Sequence, residues 1–470
     1  MVQKAVWVRV PPSAFVFHYM QTKKNILLIN PWICDFTAYD FWLKPLGLLT
    51  IAALIKQYTP HKIDFIDCLD RHHPGLPKKL KTKTDGRGPF YKEEMEKPAI
   101  LKKIPRKYSR YGIPLSLFQY ELNRVTQPDV VMLTCTMTYW YPGVRLVTEL
   151  IKKRFGNVPI VLGGIYATLL PHHAKEETGV DLVCAGLGEK HLFSLLRQIM
   201  GDACSPHIEL SSLEETPSPM YSLLRDKKSL PLITSRGCPY KCTFCISPIL
   251  YEHFEQISPD RVVDQIDRMF LEFKPNNLAF YDDAILINKK QHIIPILEKL
   301  ILRKYPIHFH TPNGLHIKEI DLELARLFKK ANFQSLYLSQ ESFDQEFLLK
   351  TGNKVGSDDI VKALAALERA GFKREDINVY LLAGLPGQKF TSIQDSILSV
   401  QSLGARPYLA FYSPIPGTPE WKRAVEQGYL TDKTDPLLHN KLAFPYLWGS
   451  LSPEEFSALR QLQKQENNQS

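Results

Sequence analysis

Three cysteines, Cys238, Cys242 and Cys245, stand in the run Arg236-Gly-Cys-Pro-Tyr-Lys-Cys-Thr-Phe-Cys245. A Cys-x3-Cys-x2-Cys spacing lets three thiolates hold three irons of a 4Fe–4S cluster and leaves the fourth iron without a protein ligand. An open iron can bind a substrate and do chemistry, besides passing electrons. With 8 Cys in 470 residues, independent placement gives this spacing roughly 0.002 times per chain. Three Cys beside Arg236, Gly237 and Lys241 do not read as apolar core. Zinc is the rival ligand, with His253 as a fourth donor. Structural zinc sites use a second Cys or His pair well downstream, and that pair is missing here.

The triplet, with the aromatic Phe244 just before its last cysteine, resembles the signature of the radical S-adenosylmethionine (radical SAM) superfamily. The resemblance implies that the methionyl amine and carboxylate of SAM chelate the open iron. The reduced cluster would cleave SAM to methionine and a 5′-deoxyadenosyl radical, with Phe244 packed near the adenine. The motif says nothing about substrate.

The surrounding elements must hold the triplet at the mouth of a fold. After a Pro- and Ser-bearing linker at 206–228, strands and helices alternate with a regular beat. Candidate strands are 230–235, 277–281, 307–311, 335–339, 377–382 and 408–412. Helical stretches at 259–273, 292–304, 319–330, 358–370 and 392–403 lie between them. Six strand–helix units over 229–425 make a partial TIM-like (β/α)6 barrel, whose site lies at the strand carboxyl ends. Cys238 follows the first strand by three residues, where that rule puts it. Polar groups mark the other strand ends: Asp282-Asp283, Asn313-Gly314, Gln340-Glu341-Ser342, Gly384-Leu-Pro-Gly387 and Pro416-Gly-Thr418. Adjacent strand-end residues point opposite ways, so Asp282 and Asp283 are not read as a general acid and base. One carboxylate would accept the SAM amine and its neighbour would cap the next helix. The family resemblance implies SAM contacts from Phe244, Asp282 or Asp283, Asn313, Glu341, Gly384 and Leu385. Gln340 departs from the family, where Gly is more usual before the Glu.

The N-terminal half also alternates. Strands are expected at 25–30, 62–68, 129–135, 159–162 and 181–185, with helices at 45–57 and 143–155. This pattern implies a Rossmann-like, doubly wound parallel sheet. Such sheets bind ligands beyond their carboxyl ends, where the pairs Gly163-Gly164 and Gly186-Leu-Gly188 fall. Over about residues 25–195 the pattern resembles the cobalamin-binding domain that precedes many radical SAM domains. The matching pieces are Pro45-Leu-Gly-Leu-Leu, Thr134-Cys-Thr-Met-Thr138, Gly163-Gly-Ile-Tyr-Ala-Thr168 and Gly186-Leu-Gly-Glu189. The resemblance implies cobalamin contacts from Thr134, Thr136, Thr138, Gly163, Gly164, Gly186, Gly188 and Glu189. The run Asp70-Arg-His72-His-Pro-Gly75 fits a pattern that places a His under cobalt, but it follows the second strand where the pattern follows the first. The loop at 31–44 has no His, so cobalamin is expected without a His ligand.

The chain reads as an extension at 1–24, a domain at 25–205, the linker, the barrel, and a helical C-terminal region at 426–470 with a disordered polar end. Met20 is read as the true start. Residues 71–110 form an insertion with 13 Lys or Arg against 4 acidic residues, read as a solvated loop, with a lid or phosphate site as the alternative. The longest apolar stretch, 45–55, is too short to span a bilayer. Scattered remaining cysteines read as reduced thiols in the cytoplasm. The net charge of +10 permits an anionic partner without requiring nucleic acid. The expected activity is radical SAM methylation of an unactivated carbon or phosphorus in a small-molecule or lipid intermediate, with flavodoxin or ferredoxin as electron donor. Oxidation, cyclisation or rearrangement without methyl transfer is a second reading. A cobalamin or redox sensor is a third, and a tRNA methylthiotransferase a fourth, disfavoured by the polar C-terminus.

Overall fold

The computed structural model describes residues 23–352, 354–444 and 451–465. Met20 and the polar end from residue 466 lie outside the described residues. The first sheet contains β1 (Asn25–Asn30), β2 (Lys62–Asp67), β3 (Val130–Thr134), β4 (Ile160–Gly163) and β5 (Leu182–Val183). Their order is β5-β4-β3-β1-β2, and every pairing is parallel. Ile26 of β1 lies opposite Val130 on one side and Ile63 on the other. Ile26 to Ile29 have no exposed surface, which explains their unbroken apolar run: a strand covered on both faces has no solvent side to mark with polar residues. The helix Leu46–Tyr58 covers one face. The helix Tyr141–Phe155 covers the other through Val144, Val147, Ile151 and Phe155, at the three-to-four spacing of a buried stripe.

The second sheet contains β6 (Ser229–Leu232), β7 (Asn277–Phe280), β8 (His308–His316), β9 (Phe333–Glu341), β10 (Asn378–Ala383) and β11 (Arg406–Phe411), in sequential order. All five pairings are parallel, as expected for a barrel of strand–helix units. Leu336, Leu338, Val379 and Leu381 join the helices in the largest core cluster. The alternate residues Tyr337 and Tyr380 stack on the opposite, lumenal face with ring centroids 5.2 Å apart.

Two segments differ from the sequence expectation. The basic insertion is not a solvated loop throughout. Its strands Lys92–Glu94 and Ser109–Tyr111 join Ile33–Asp35 in an antiparallel sheet. Its 84–87 turn also enters the barrel. Arg87 donates to the Tyr337 hydroxyl at 2.7 Å and pairs with Asp85 at 2.7 Å. Trp42, from the loop after β1, stacks on His310 at 4.6 Å. Composition registered the charges, but local pairing lets Arg87 leave water and fill the lumen. Lys78, Lys79, Lys81 and Lys83 do remain exposed. The 206–228 linker is likewise packed: Leu210, Leu213, Tyr221 and Leu224 are buried, and Met220 donates its amide to Leu49 at 3.0 Å. The C-terminal helix Pro453–Lys464, capped by Ser452 and Glu455, stacks Phe456 on Phe411 of β11 at 4.3 Å.

Candidate functional site

The Cys loop lies beyond the carboxyl end of β6 and is tied down from three directions. Thr243 donates its amide to Thr351 O at 3.2 Å, and its hydroxyl to Glu420 at 2.6 Å. Gly352 lies so close that a Cβ there would stand 3.1 Å from Cys242 Cα. The Ser247 amide points at Cys245 Sγ at 3.5 Å. All three cysteines are half-buried free thiols. Burial pushes the Cys242 thiol up to about 12 and raises Cys238 and Cys245 in the same sense, with Lys354 opposing each shift. Such thiols become ligands when a cation makes up the energy of deprotonation. Among the described residues no three or more His, Cys, Asp or Glu side chains close on one single-ion site. A cubane cluster suits the triplet, because each thiolate takes its own iron.

The polar strand ends surround this loop. Asp282 Oδ1 accepts from the Thr234 amide at 2.9 Å, the Thr234 hydroxyl at 2.8 Å and the Ser235 hydroxyl at 2.6 Å. Its Oδ2 is buried without a partner. Asp283 turns the other way and accepts from Ser247, two residues past the triplet, at 2.8 Å. Asn313 does not follow its strand but lies within β8, at an irregularity between Thr311 and Leu315. Its side-chain amide donates to Tyr281 O and Asp282 O at 3.1 Å each. Asp282, Asp283, Asn313 and His316 line one small pocket.

Glu341 ends β9 at a register shift and holds φ +66°. A non-glycine residue in the left-handed region costs on the order of 1–3 kcal/mol. This conformation aims a largely buried carboxylate at Lys354, 3.8 Å away; desolvation raises its pKa and Lys354 opposes the rise. Gly384 and Leu385 present their amides to Gln388 Oε1 at 2.9 and 3.3 Å. Leu385 packs in the apolar cluster that also receives Phe244. An aromatic beside the triplet and the Gly-Leu-Pro-Gly loop thus make one apolar wall.

Lys354 is the residue that sequence reading missed. It follows no strand, and its only signal is its place two residues after Gly352. It acts electrostatically on all three thiols and on Glu341. Lys354→Gln is expected to make the cluster harder to reduce, by on the order of 100 mV, the scale of one unit charge several ångströms away at an effective dielectric near 20. A redox titration followed by electron paramagnetic resonance (EPR) measures the shift, and an unchanged potential would refute it.

The second site is a cavity of about 350 Å3 at the carboxyl ends of β1, β3 and β4. Of the residues expected there, Thr134, Thr136, Gly163, Gly164, Gly186, Gly188 and Glu189 line it. Thr138 does not: its hydroxyl meets His439 Nδ1 at 3.1 Å and anchors the C-terminal region. His72 lies in a different, polar cavity and pairs with Asp226 at 3.3 Å. His73 is buried against Glu121 and Arg225. Gly164 holds φ +92°, and a Cβ there would stand 2.7 Å from Cys135 O. Only a glycine lets these two loops meet at the corner of the cavity. The barrel closes the far wall with Ile233, Arg236 and Tyr251, which the sequence reading did not foresee.

The sequence pattern of the radical SAM superfamily matches residues 232–400, and that of the B12 binding domain matches residues 121–196. The chain is a radical SAM protein with a B12-binding domain. Its fold agrees with that of the radical SAM methyltransferase TsrM from Kitasatospora setae, at a TM-score of 0.64 and 15% identity, covering 93% of this chain and 89% of that one. An uncharacterized methyltransferase of Pyrococcus horikoshii is 24% identical over 332 residues, 64% of this chain and 71% of that protein. The anaerobic magnesium-protoporphyrin IX monomethyl ester cyclase of Cereibacter sphaeroides is 24% identical over 343 residues; the match spans 65% of this chain and about half (54%) of the cyclase. The cofactors that go with the two domains are a 4Fe–4S cluster, SAM and cobalamin. The residues fit them: three soft thiols on one loop beside a cation for the cluster, and a glycine-cornered cavity for the corrinoid. Among the described residues no helix is long and apolar enough to cross a membrane.

Burial raises Asp282 in this radical SAM protein to about 6. That lies above the unfolded value, so the folded state holds the extra proton between about pH 4 and 6. Stability therefore falls as pH rises through that window and stays reduced above it. Asp282→Asn is expected to raise thermal stability at pH 7.5, by on the order of 2–3 kcal/mol from the two-unit shift, and to give no gain at pH 4. Melting curves at the two pH values measure this; equal effects at both would refute it.

Proposed function

We propose that this protein is a cobalamin-dependent radical SAM methyltransferase acting on an unactivated carbon or phosphorus of a small-molecule or lipid intermediate. The observation that carries the reading is the cavity whose walls come from both halves: Thr134, Gly164 and Glu189 on one side, Arg236 and Tyr251 beside the Cys loop on the other. These residues would hold a cobalamin against the barrel wall beside the Cys loop. When bound, the cluster with SAM supplies a hydrogen-abstracting radical, and cobalamin supplies a methyl carrier. Cys238, Cys242 and Cys245 hold the cluster. Lys354 offsets negative charge around it. Asp283 and Glu341 flank the SAM position, and Phe244 with Leu385 gives an apolar face for the adenine. Trp42, Arg87 and Tyr337 fill the lumen below and keep water from reaching a radical from that side. A low-potential carrier such as flavodoxin or ferredoxin supplies the electron, and the protein works in the cytoplasm.

The cyclase relative favours one second reading, an oxidative ring closure on the same cofactors. Anaerobic reconstitution, assay of 5′-deoxyadenosine from SAM, cobalt analysis and product mass separate the two. Added methyl mass supports methyl transfer, while loss of hydrogen without added mass supports cyclisation. A cluster that never cleaves SAM would overturn both.

A further inference from the structure

We propose that the Arg236–Glu189 ion pair is a positioning device that holds the cluster loop of the barrel in register with the cobalamin cavity of the first domain. The proposal rests on the assignment of the two cofactors above and concerns what aligns them.

Arg236 ends the short strand Ser235–Arg236, antiparallel to Glu255–Gln256, two residues before Cys238. Gly237 follows at φ +85°, where a Cβ would meet His253 O at 3.0 Å. The backbone between Arg236 and the triplet is thus fixed on its barrel side. Glu189 sits in the first turn of the helix Gly188–Met200, just after β5 in the first domain. Arg236 Nη1 and Glu189 Oε1 are 2.5 Å apart, with side chains 16% and 11% exposed. The contact is ionic, not a well-directed hydrogen bond, and Glu189 Oε1 has no hydrogen-bond partner. The guanidinium also lies 5.8 Å from the Tyr251 ring centroid. Both partners line the cavity.

Each charge in this pair depends on the other, because removing one leaves its partner half-buried and unpaired. Other contacts dock the two domains, such as Arg87 on Tyr337. This pair joins the cavity wall directly to the strand that leads into the cluster ligands. Group transfer between two cofactors held by different domains is sensitive to errors of about 1 Å. A short, half-enclosed ionic contact at that junction sets the separation.

The test uses the full chain with its cluster reconstituted, loaded with hydroxocobalamin and reduced. Pulsed dipolar EPR then gives the distance distribution between the paramagnetic cobalt and the reduced cluster. A narrow distribution is expected in the unaltered protein. It should broaden at least twofold in Arg236→Gln and in Glu189→Gln, stay narrow in Arg236→Lys, and narrow again in the charge-reversed double variant R236E/E189R. A purely local structural role predicts no rescue by reversal. Unchanged widths in both glutamine variants, or a reversed pair as broad as the single variants, would overturn the proposal. Cobalt and iron content of the unaltered protein are read on the same samples. Their absence would overturn the cofactor assignment itself, which is a separate result.

Discussion

Cys242→Ala is expected to abolish 5′-deoxyadenosine formation, by about three orders of magnitude or more, since the cofactor carries the chemistry and the residue carries the cofactor. Cys242 is the central thiol of the triplet, and a Cβ added at Gly352 would stand only 3.1 Å from its Cα. The remaining five cysteines, Cys34, Cys68, Cys135, Cys184 and Cys204, all lie in or beside the first domain. Two thiolates cannot hold a cluster as three do. Iron and sulfide analysis, the EPR signal of the reduced protein and mass-spectrometric assay of 5′-deoxyadenosine measure the loss together. A variant that keeps full iron and cleaves SAM at a tenth of the normal rate would remove Cys242 from the ligand set.

The second large effect concerns the corrinoid. Gly164→Ala is expected to weaken hydroxocobalamin binding about a hundredfold. The residue holds φ +92° and ψ −174°, a region that is essentially glycine's own, and occupying it with a side chain costs about 1–3 kcal/mol. The added Cβ would also lie 2.7 Å from Cys135 O and 2.9 Å from Thr134 Oγ1, so the two loops forming the cavity corner must part. A total near 3 kcal/mol corresponds to about two decades of affinity. Gly156 provides the comparison. It too has positive φ, but a Cβ there would meet nothing within 4 Å, and Gly156→Ala is expected to leave hydroxocobalamin affinity within twofold. Equal affinity in the two variants would mean that the Gly164 corner does not contact the ligand.

Much of this architecture was legible in the chain. The strand Asn25–Asn30 and the helix Pro259–Phe273 fall where periodicity puts them, because a continuous apolar run and a three-to-four apolar stripe are local signals. Strand ends were harder. β8 and β9 run past their expected limits to His316 and Glu341. Both extensions contain polar residues at register irregularities, and polar composition by itself reads as loop. The irregularities are also where Asn313 and Glu341 are turned toward the site.

Charge misled in one place and was silent in another. The excess of Lys and Arg at 71–110 read as a wet surface, yet Arg71 is buried against Asp40, 3.5 Å away, and Arg87 enters the barrel. Conversely, a single lysine in a loop after a Thr-Gly pair gave no sign that Lys354 would stand among three thiols and a glutamate.

The sequence by itself determined the Cys triplet, the two strand–helix halves and the glycines at the cavity rim, since each is a spacing or a run that local chemistry explains. Tertiary structure alone decided which side chains from distant segments meet. It joined Glu189 to Arg236, set Lys354 beside the Cys loop, sent Thr138 to His439 and placed Trp42 against His310. Those contacts depend on how two domains dock and where an insertion turns, and no spacing along one segment encodes a distance to another.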